Sequence, residues 1–230
     1  MTSVDYIKEM FALQQKLNDE TNGLGWENGY TNNNRIINWK RCIYMESAEL
    51  IDSFNWKHWK DINKATDWEN ATIEIVDIWH FVMSLLLEYN KTQGKKDINK
   101  LVKDVIDVQG FERFSKEPDN KENADTMEVI NDIESIMHMT TALRIDLFDG
   151  LLKEYFSMAL KCGVNLKILY KYYLAKNILN QIRQDNGYKE GTYKKVWNGQ
   201  EDNEVMIEIL DKGDFNAQTL YEELNKAYKK

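Results

Sequence analysis

The sequence predicts an all-α protein, a multi-helix bundle, from its composition and from its apolar pattern. The 230 residues include one proline and 11 glycines, too few for the many turns that a β-rich protein requires. Apolar residues recur at helical spacing along most of the chain. No alternation of apolar and polar residues is long enough to indicate a sheet.

The predicted helices follow one another from the N-terminus with polar loops between them. The first covers 4–20, where Ile7, Met10 and Phe11 lie on one face. The others cover 38–55, 67–90, 97–116, 126–140, 145–161, 166–184 and 216–228. A glycine-punctuated segment, 184–203, is predicted to be a loop.

Length and composition predict one domain over residues 1–230, in which 91–142 is a candidate helical subdomain. The net charge of −8 argues against binding to nucleic-acid polymers. Cys42 and Cys162 are too few and too far apart for a disulfide framework. The N-terminus lacks the features of a signal peptide, and the most apolar stretch, of about 15 residues with two acids, is short for a membrane span. We therefore expect a cytoplasmic protein that does not bind membranes.

Two pairs of carboxylates, each pair three residues apart, stand in predicted helices. Glu46 and Glu49 lie in "CIYMESAELIDSF", and Glu74 and Asp77 lie in "ATIEIVDIWHFVMSLLL". Residues at this spacing share a helix face. The second helix is apolar nearly all round and should be buried, where unpaired carboxylates are costly. A cation should therefore face these acids.

The sequence favours a divalent cation as that partner. No Lys or Arg lies within residues 73–87, and an all-oxygen ligand set without sulfur suits Mg²⁺. The predicted Mg²⁺ ligands are Glu46, Glu49, Glu74 and Asp77.

Three other interpretations of the acids stay open. Acid pairs at this spacing are common on solvated helix faces. Lys57 or Arg35 could instead fold over the acids as a structural ion pair. A di-iron carboxylate bundle usually has Glu-x-x-His on two helices, and here only Asp77 and His80 show that spacing.

A basic face follows near the C-terminal end of the chain. Lys176, Asn180 and Arg183 fall on one side of a predicted helix. The next loop adds Lys189, Lys194, Lys195, Tyr188 and Tyr193. Such a cluster is typical of phosphate binding, although a solvated helix end gives the same pattern. Beside a metal site it favours hydrolysis of a polyphosphate, because the cations would bind the leaving group.

Several stretches together resemble a known enzyme family. These are "LQQKLNDETNGLGWENGY", "RCIYMESAELIDSFNWKHWK", "EIVDIWHF" and "KNILNQIRQDNGYKEGTYKKVWNGQEDN". The acid spacing is similar to that of the all-α nucleotide pyrophosphohydrolases related to MazG, and the combination resembles the dimeric dUTPases. The resemblance implies a homodimer that hydrolyses dUTP and dUDP to dUMP with Mg²⁺. It also implies that Glu49, with Glu46 beside it, orients or deprotonates the attacking water.

The same resemblance implies roles for the substrate-binding residues. Gln14, Asn18 and Trp56 match positions that enclose the uracil. Phe81, Asp77 and Asn180 match positions near the deoxyribose. Those that match phosphate-contacting positions are Lys176, Arg183, Tyr188 and Lys195, with Asn186 and Lys57 as further candidates.

Physical chemistry supports some of these roles and leaves others open. Gln14 and Asn18 lie four residues apart and offer donors and acceptors to a base edge, although an ordinary polar helix face looks the same. Trp56 could stack on a base or cover the core. Two rival functions remain: a MazG-like hydrolase of another nucleotide such as dCTP, and a non-catalytic helical interaction protein.

Overall fold

The structure of the protein is a computed structural model. It describes residues 1–94, 97–116, 118, 121–142, 148–213 and 215–229. The chain is mostly helical, which confirms the all-α prediction. Its contacts divide it into two compact units, Met1–Tyr170 (unit 1) and Lys171–Lys230 (unit 2). The single domain and the 91–142 subdomain stay predictions.

Unit 1 is built from seven helices and the start of an eighth within its described residues. They are α1 (Ser3–Asn22), α2 (Trp39–Asp52), α3 (Trp68–Thr92), α4 (Ile98–Ile106), α5 (Phe111–Phe114), α6 (Thr126–Ala142), α7 (Phe148–Lys161) and the first residues of α8 (Leu166–Asp185). Helix α3 packs against α1 and α2, while α6 packs against α2 and α7. The acids of α2 and α3 therefore lie on adjacent helices.

Side-chain caps fix where the two acid-bearing helices begin. The Asn38 side chain accepts a hydrogen bond from the Arg41 N–H at 2.9 Å. The Asp67 side chain accepts one from the Asn70 N–H at 3.0 Å. Asn and Asp are favoured at this position because they satisfy otherwise unpaired N–H groups of the first turn.

Helix α3 forms the centre of the unit 1 core. Trp79 is fully buried and stacks on Tyr155 with ring centroids 5.1 Å apart. The Tyr155 hydroxyl donates to the Ile75 carbonyl at 3.0 Å. Among the described residues α3 alone is long and apolar enough to cross a membrane, but 78% of its apolar window is buried inside the protein. This burial is typical of the core helix of a soluble protein.

The helix predicted over 97–116 is interrupted. The structure has α4 and α5 there, separated by Gly110, whose φ of 98° is incompatible with a continuous helix. The helix predicted over 145–161 begins at Phe148 as far as the structure describes it, and residues 143–147 lie outside the described residues.

Unit 2 contains the rest of α8, a short β-hairpin and two further helices. The hairpin pairs β1 (Val196–Trp197) with β2 (Gln200–Glu201), and α9 (Asp202–Leu210) and α10 (Ala217–Tyr228) follow. Asn198 and Gly199 both have positive φ, as a two-residue hairpin turn of type I′ requires. The sequence prediction missed the hairpin and α9, although the Asn-Gly pair is a hairpin signal.

Candidate active site

Three of the predicted metal ligands converge from two helices. Glu46 of α2 and Glu74 and Asp77 of α3 each place a carboxylate oxygen within 4.8 Å of the others. Glu74 is buried, with 8% of its surface exposed, and the other two are partly buried. Oxygens around a bound Mg²⁺ or Ca²⁺ lie about 3–5 Å apart. This cluster therefore has the chemistry and spacing that a hard divalent cation needs.

Glu49, the fourth predicted ligand, is not part of this cluster. It follows Glu46 by three residues on α2 and is exposed to solvent. The group of mutually close carboxylates does not include it. Cys42, one turn before Glu46, has a raised thiol pKa because of burial and the nearby Glu46 charge. The ligand and catalytic roles of all four acids stay predictions.

The two predicted uracil-binding amides lie together on α1. Gln14 and Asn18 are 2% and 4% exposed. The Gln14 Nε2 donates to the Asn18 Oδ1 at 3.3 Å. Both side chains also bond Ser84 of α3, through Gln14 Nε2 at 3.0 Å and Asn18 Nδ2 at 2.9 Å. The α1 amides are thus tied to the acid-bearing helix α3.

Phe81, one turn after Asp77, belongs to an aromatic cluster. It is partly buried and stacks on Trp39, with ring centroids 6.0 Å apart and an interplanar angle of 27°. Trp39 in turn meets the edge of Trp26 at 5.5 Å. The buried Trp39 Nε1 has no hydrogen-bond acceptor among the described residues. The stacked and edge-on contacts of Trp39 and Trp26 therefore restrict the position of the Phe81 ring.

Trp56 and Lys57 both bond Asp52 at the end of α2. The Trp56 Nε1 donates to Asp52 Oδ1 at 2.8 Å, and the Lys57 Nζ lies 2.9 Å from the same oxygen. The Lys57 ammonium also lies 5.1 Å from the centre of the Trp56 ring. The hydrogen bonds from Lys57 and Trp56 lower the pKa of Asp52.

The basic face of α8 forms a connected row in unit 2. Asn203 Oδ1 accepts from Lys176 Nζ at 3.0 Å and from Arg183 Nη2 at 3.4 Å. Arg183 Nη1 also donates to Asn180 Oδ1 at 3.1 Å. Lys176 is only 2% exposed. The three residues predicted to share a face therefore do so.

Arg183 is held most strongly by Asp202, at the start of α9. Its Nε and Nη2 lie 2.8 Å from the two Asp202 oxygens. The Tyr193 hydroxyl donates to Asp202 Oδ2 at 2.8 Å. Burial alone would raise the pKa of Asp202, but the hydrogen bonds and charge of Arg183 outweigh burial and lower it.

The other predicted phosphate-binding residues have local partners or face solvent. The Lys195 Nζ lies 3.1 Å from Glu201, which raises the pKa of Lys195. The Asn186 Nδ2 donates to a carbonyl of the preceding turn at 2.7 Å. Tyr188 is 49% exposed, with the Arg183 guanidinium 5.8 Å from its ring centre.

Most of the chain matches a known family. The model of a dUTPase family matches residues 6–188. The chain belongs to this dUTPase family. The matched range contains every predicted site residue except Lys195, and membership supports the prediction of a dUTP diphosphatase. A comparison with curated proteins found no match.

Three residues that contact predicted site residues were not themselves predicted from the sequence. Asp202 and Trp39 gave no signal in the sequence, because each contacts a predicted site residue that is distant along the chain. Ser84 did give one, because it and His80 are polar, four residues apart, and surrounded by apolar residues of α3. Such a pair lies on one helix face.

Proposed function

We propose that the protein hydrolyses dUTP, and also dUDP, to dUMP, using Mg²⁺ held by Glu46, Glu49, Glu74 and Asp77. The observation that carries this proposal is the convergence of three carboxylates from α2 and α3 within 4.8 Å. It occurs in a chain that belongs to a dUTPase family.

The acids have two roles in this proposal, metal binding and proton transfer. Bound Mg²⁺ would neutralise phosphate charge and lower the pKa of water. Glu46, Glu74 and Asp77 supply the buried and partly buried oxygens that suit this ion. Glu49 is exposed one turn from Glu46 and takes the proton of the attacking water. Attack at the α-phosphorus breaks the bond to the β-phosphate, releasing dUMP and pyrophosphate from dUTP or dUMP and phosphate from dUDP.

Most of the residues that recognise the nucleoside in this proposal belong to unit 1. Gln14 and Asn18 present amide donors and acceptors to uracil, and Trp56 covers the base. Phe81, held by Trp39, packs against the deoxyribose and leaves no room for a 2′-hydroxyl. Asp77 and Asn180 are proposed to lie near the sugar.

The phosphate chain is assigned to basic and polar side chains, on the basis of the resemblance and of the local concentration of cations in the sequence. They are Lys57, Lys176, Arg183, Asn186, Tyr188 and Lys195. Guanidinium and ammonium groups would balance charge on the leaving group. The proposed active species is a homodimer, on the basis of the resemblance, and its proposed location is the cytoplasm, as expected from the sequence.

Substitution of Glu49 by Gln tests the proposed base. Glu49→Gln removes the proton acceptor at an exposed position, so we expect loss of turnover with little change in melting temperature. Glu134→Gln changes an exposed acid of α6 and should leave the rate unchanged. Product release from dUTP with Mg²⁺ is the measurement. A Glu49→Gln enzyme as fast as wild type would refute the role of Glu49.

A nucleotide panel separates the proposed activity from the rival functions. With Mg²⁺ present, we expect dUTP and dUDP to be hydrolysed in preference to dCTP, dTTP and dATP. Preference for another nucleotide would favour the MazG-like alternative. A non-hydrolysable dUTP analogue with Mg²⁺ should also raise the melting temperature, because ligand binding to the native state stabilises it. No hydrolysis and no shift would favour an interaction protein.

A further inference from the structure

Ser84 is a fully buried hydroxyl whose hydrogen-bonding capacity is used completely. Its Oγ donates to the His80 carbonyl at 2.9 Å. It accepts from Gln14 Nε2 at 3.0 Å and from Asn18 Nδ2 at 2.9 Å. A serine hydroxyl has one hydrogen and two lone pairs. These three bonds therefore occupy all of them.

This arrangement fixes which end of each amide faces Ser84. With its hydrogen on the His80 carbonyl, Ser84 Oγ acts only as an acceptor, so both amides turn their NH₂ groups toward it. Asn18 is fixed at its other end as well, because its Oδ1 accepts from Gln14 Nε2 at 3.3 Å. A flipped Asn18 would bring its oxygen against Ser84 Oγ and its NH₂ against the Gln14 NH₂. The flip is thus opposed at two points.

The orientation of a carboxamide decides which pyrimidine it fits. Uracil offers an N3–H donor beside a carbonyl acceptor, whereas cytosine offers an N3 acceptor beside an amino donor. A carboxamide that matches one edge opposes the other, and a 180° flip exchanges the preference. Within the part of the chain that the structure describes, Asn18 bonds Gln14 and Ser84, which leaves one N–H and one oxygen lone pair for a base.

We infer that Ser84 is a positioning residue that sets the preference for uracil over cytosine by holding the Asn18 and Gln14 amides in one orientation. The inference rests on the proposed function, in which these two amides face the base. Ser84 acts on the substrate only through them. Its loss should therefore alter the choice of base more than the rate of the chemical step.

The experiment compares Ser84→Ala with wild type on dUTP and dCTP. Without the Ser84 oxygen one of the two restraints on the Asn18 orientation is lost and the flipped amide becomes accessible, so the ratio of kcat/KM for dUTP to that for dCTP should fall about tenfold or more. The change should lie mainly in KM, with kcat for dUTP nearly unchanged. Ser84→Cys has similar shape but a weakly accepting sulfur, so it should lower the ratio too and replaces the alanine variant if that one does not fold.

Ser47→Ala is the matched control. Ser47 is also fully buried in a helix and donates to the carbonyl four residues earlier, at 2.7 Å. Its loss removes the same kind of hydroxyl without freeing an amide, so the dUTP to dCTP ratio should stay at the wild-type value. A fall in the ratio as large as that of Ser84→Ala would show a general effect of losing a buried hydroxyl and would overturn the inference.

Failure of the inference can be told apart from failure of the proposed function. If wild type prefers dUTP and a folded Ser84 variant keeps the full ratio, the inference is wrong and the proposed function stands. If wild type does not prefer dUTP over dCTP, both are wrong. A fall in kcat with an unchanged ratio would mean that Ser84 supports the site without selecting the base, which also overturns the inference.

Discussion

Arg183 and Asp202 form a two-point ion pair, with both guanidinium-to-carboxylate distances at 2.8 Å. The Asp202 side chain is fully buried and that of Arg183 is 12% exposed. Two parallel charge-assisted hydrogen bonds fix the guanidinium plane. The pair joins α8 to the start of α9 within unit 2 and presents Arg183 in a single orientation.

Replacing Asp202 should destabilise the protein, since it removes the carboxylate that accepts two hydrogen bonds from the nearly buried Arg183 guanidinium. For Asp202→Asn we expect a loss of roughly 3 kcal/mol in the free energy of unfolding, seen as a lower melting temperature. Glu112→Gln breaks an exposed pair with Lys116 at the same 2.8 Å distance and should cost less than about 1 kcal/mol. Equal effects of the two variants would contradict the importance of burial.

The same pair predicts a pH dependence. The pKa of Asp202 in the folded protein lies below its ordinary value of 3.8. A lowered pKa contributes stability that is present above the ordinary value and lost as pH falls through the folded value. The difference in melting temperature between wild type and Asp202→Asn should therefore hold at neutral pH and shrink below about pH 4. A difference that grows on acidification would contradict this.

Glu74 should be needed for metal-dependent stabilisation. Its buried carboxylate belongs to the three-acid cluster, so Mg²⁺ should raise the melting temperature of wild type and raise that of Glu74→Gln much less. Glu88 lies on the same helix, where burial raises the pKa of its carboxyl, but outside the cluster. Glu88→Gln should respond to Mg²⁺ like wild type. Equal responses of all three proteins would place the ion elsewhere.

The sequence was sufficient for features that depend on local spacing. Glu74 and Asp77 share a helix face because they are three residues apart, and an apolar helix was expected to bury them. The approach of Glu46 to this pair agrees with the predicted packing of two acid-bearing helices. Gln14 and Asn18 likewise lie on one helix face and bond each other.

Features that depend on distant contacts were not predictable in this way. Ser84 bonds Gln14 and Asn18 across 70 and 66 positions of the chain, and no local pattern records such a pairing. The exposure of Glu49 depends on how α2 is rotated against its neighbours, which a three-residue spacing does not fix. Gly110, by contrast, is visible in the local sequence. A glycine inside a helix lowers helix stability only modestly, so its presence did not predict that the helix over 97–116 is interrupted.

The proposed homodimer gives a direct prediction of mass. The chain has a mass of 27.2 kDa, so light scattering during size-exclusion chromatography should give twice this value at micromolar concentration. The melting temperature should rise with protein concentration, because association stabilises the folded chain. A mass of one protomer across the concentration series would contradict the dimer while leaving the proposed chemistry of the acid cluster untouched.

Phe81 should determine selectivity for the deoxy sugar. Its ring is stacked on Trp39, so it cannot easily move aside for a 2′-hydroxyl. Phe81→Leu removes this rigid surface but keeps an apolar side chain. The ratio of kcat/KM for dUTP to that for UTP should therefore fall by about tenfold, the range expected for a steric contact alone.

The control for this experiment is Phe54→Leu. Phe54 is buried and meets the edge of Trp68 at 5.8 Å, so its loss also removes an aromatic contact but at a position with no proposed substrate role. We expect Phe54→Leu to lower the melting temperature and to keep the wild-type sugar preference. If Phe81→Leu also keeps that preference, the ring does not exclude the hydroxyl. Selectivity would then have to come from polar groups near the sugar, and Asp77, which is proposed to lie there, is the first to test.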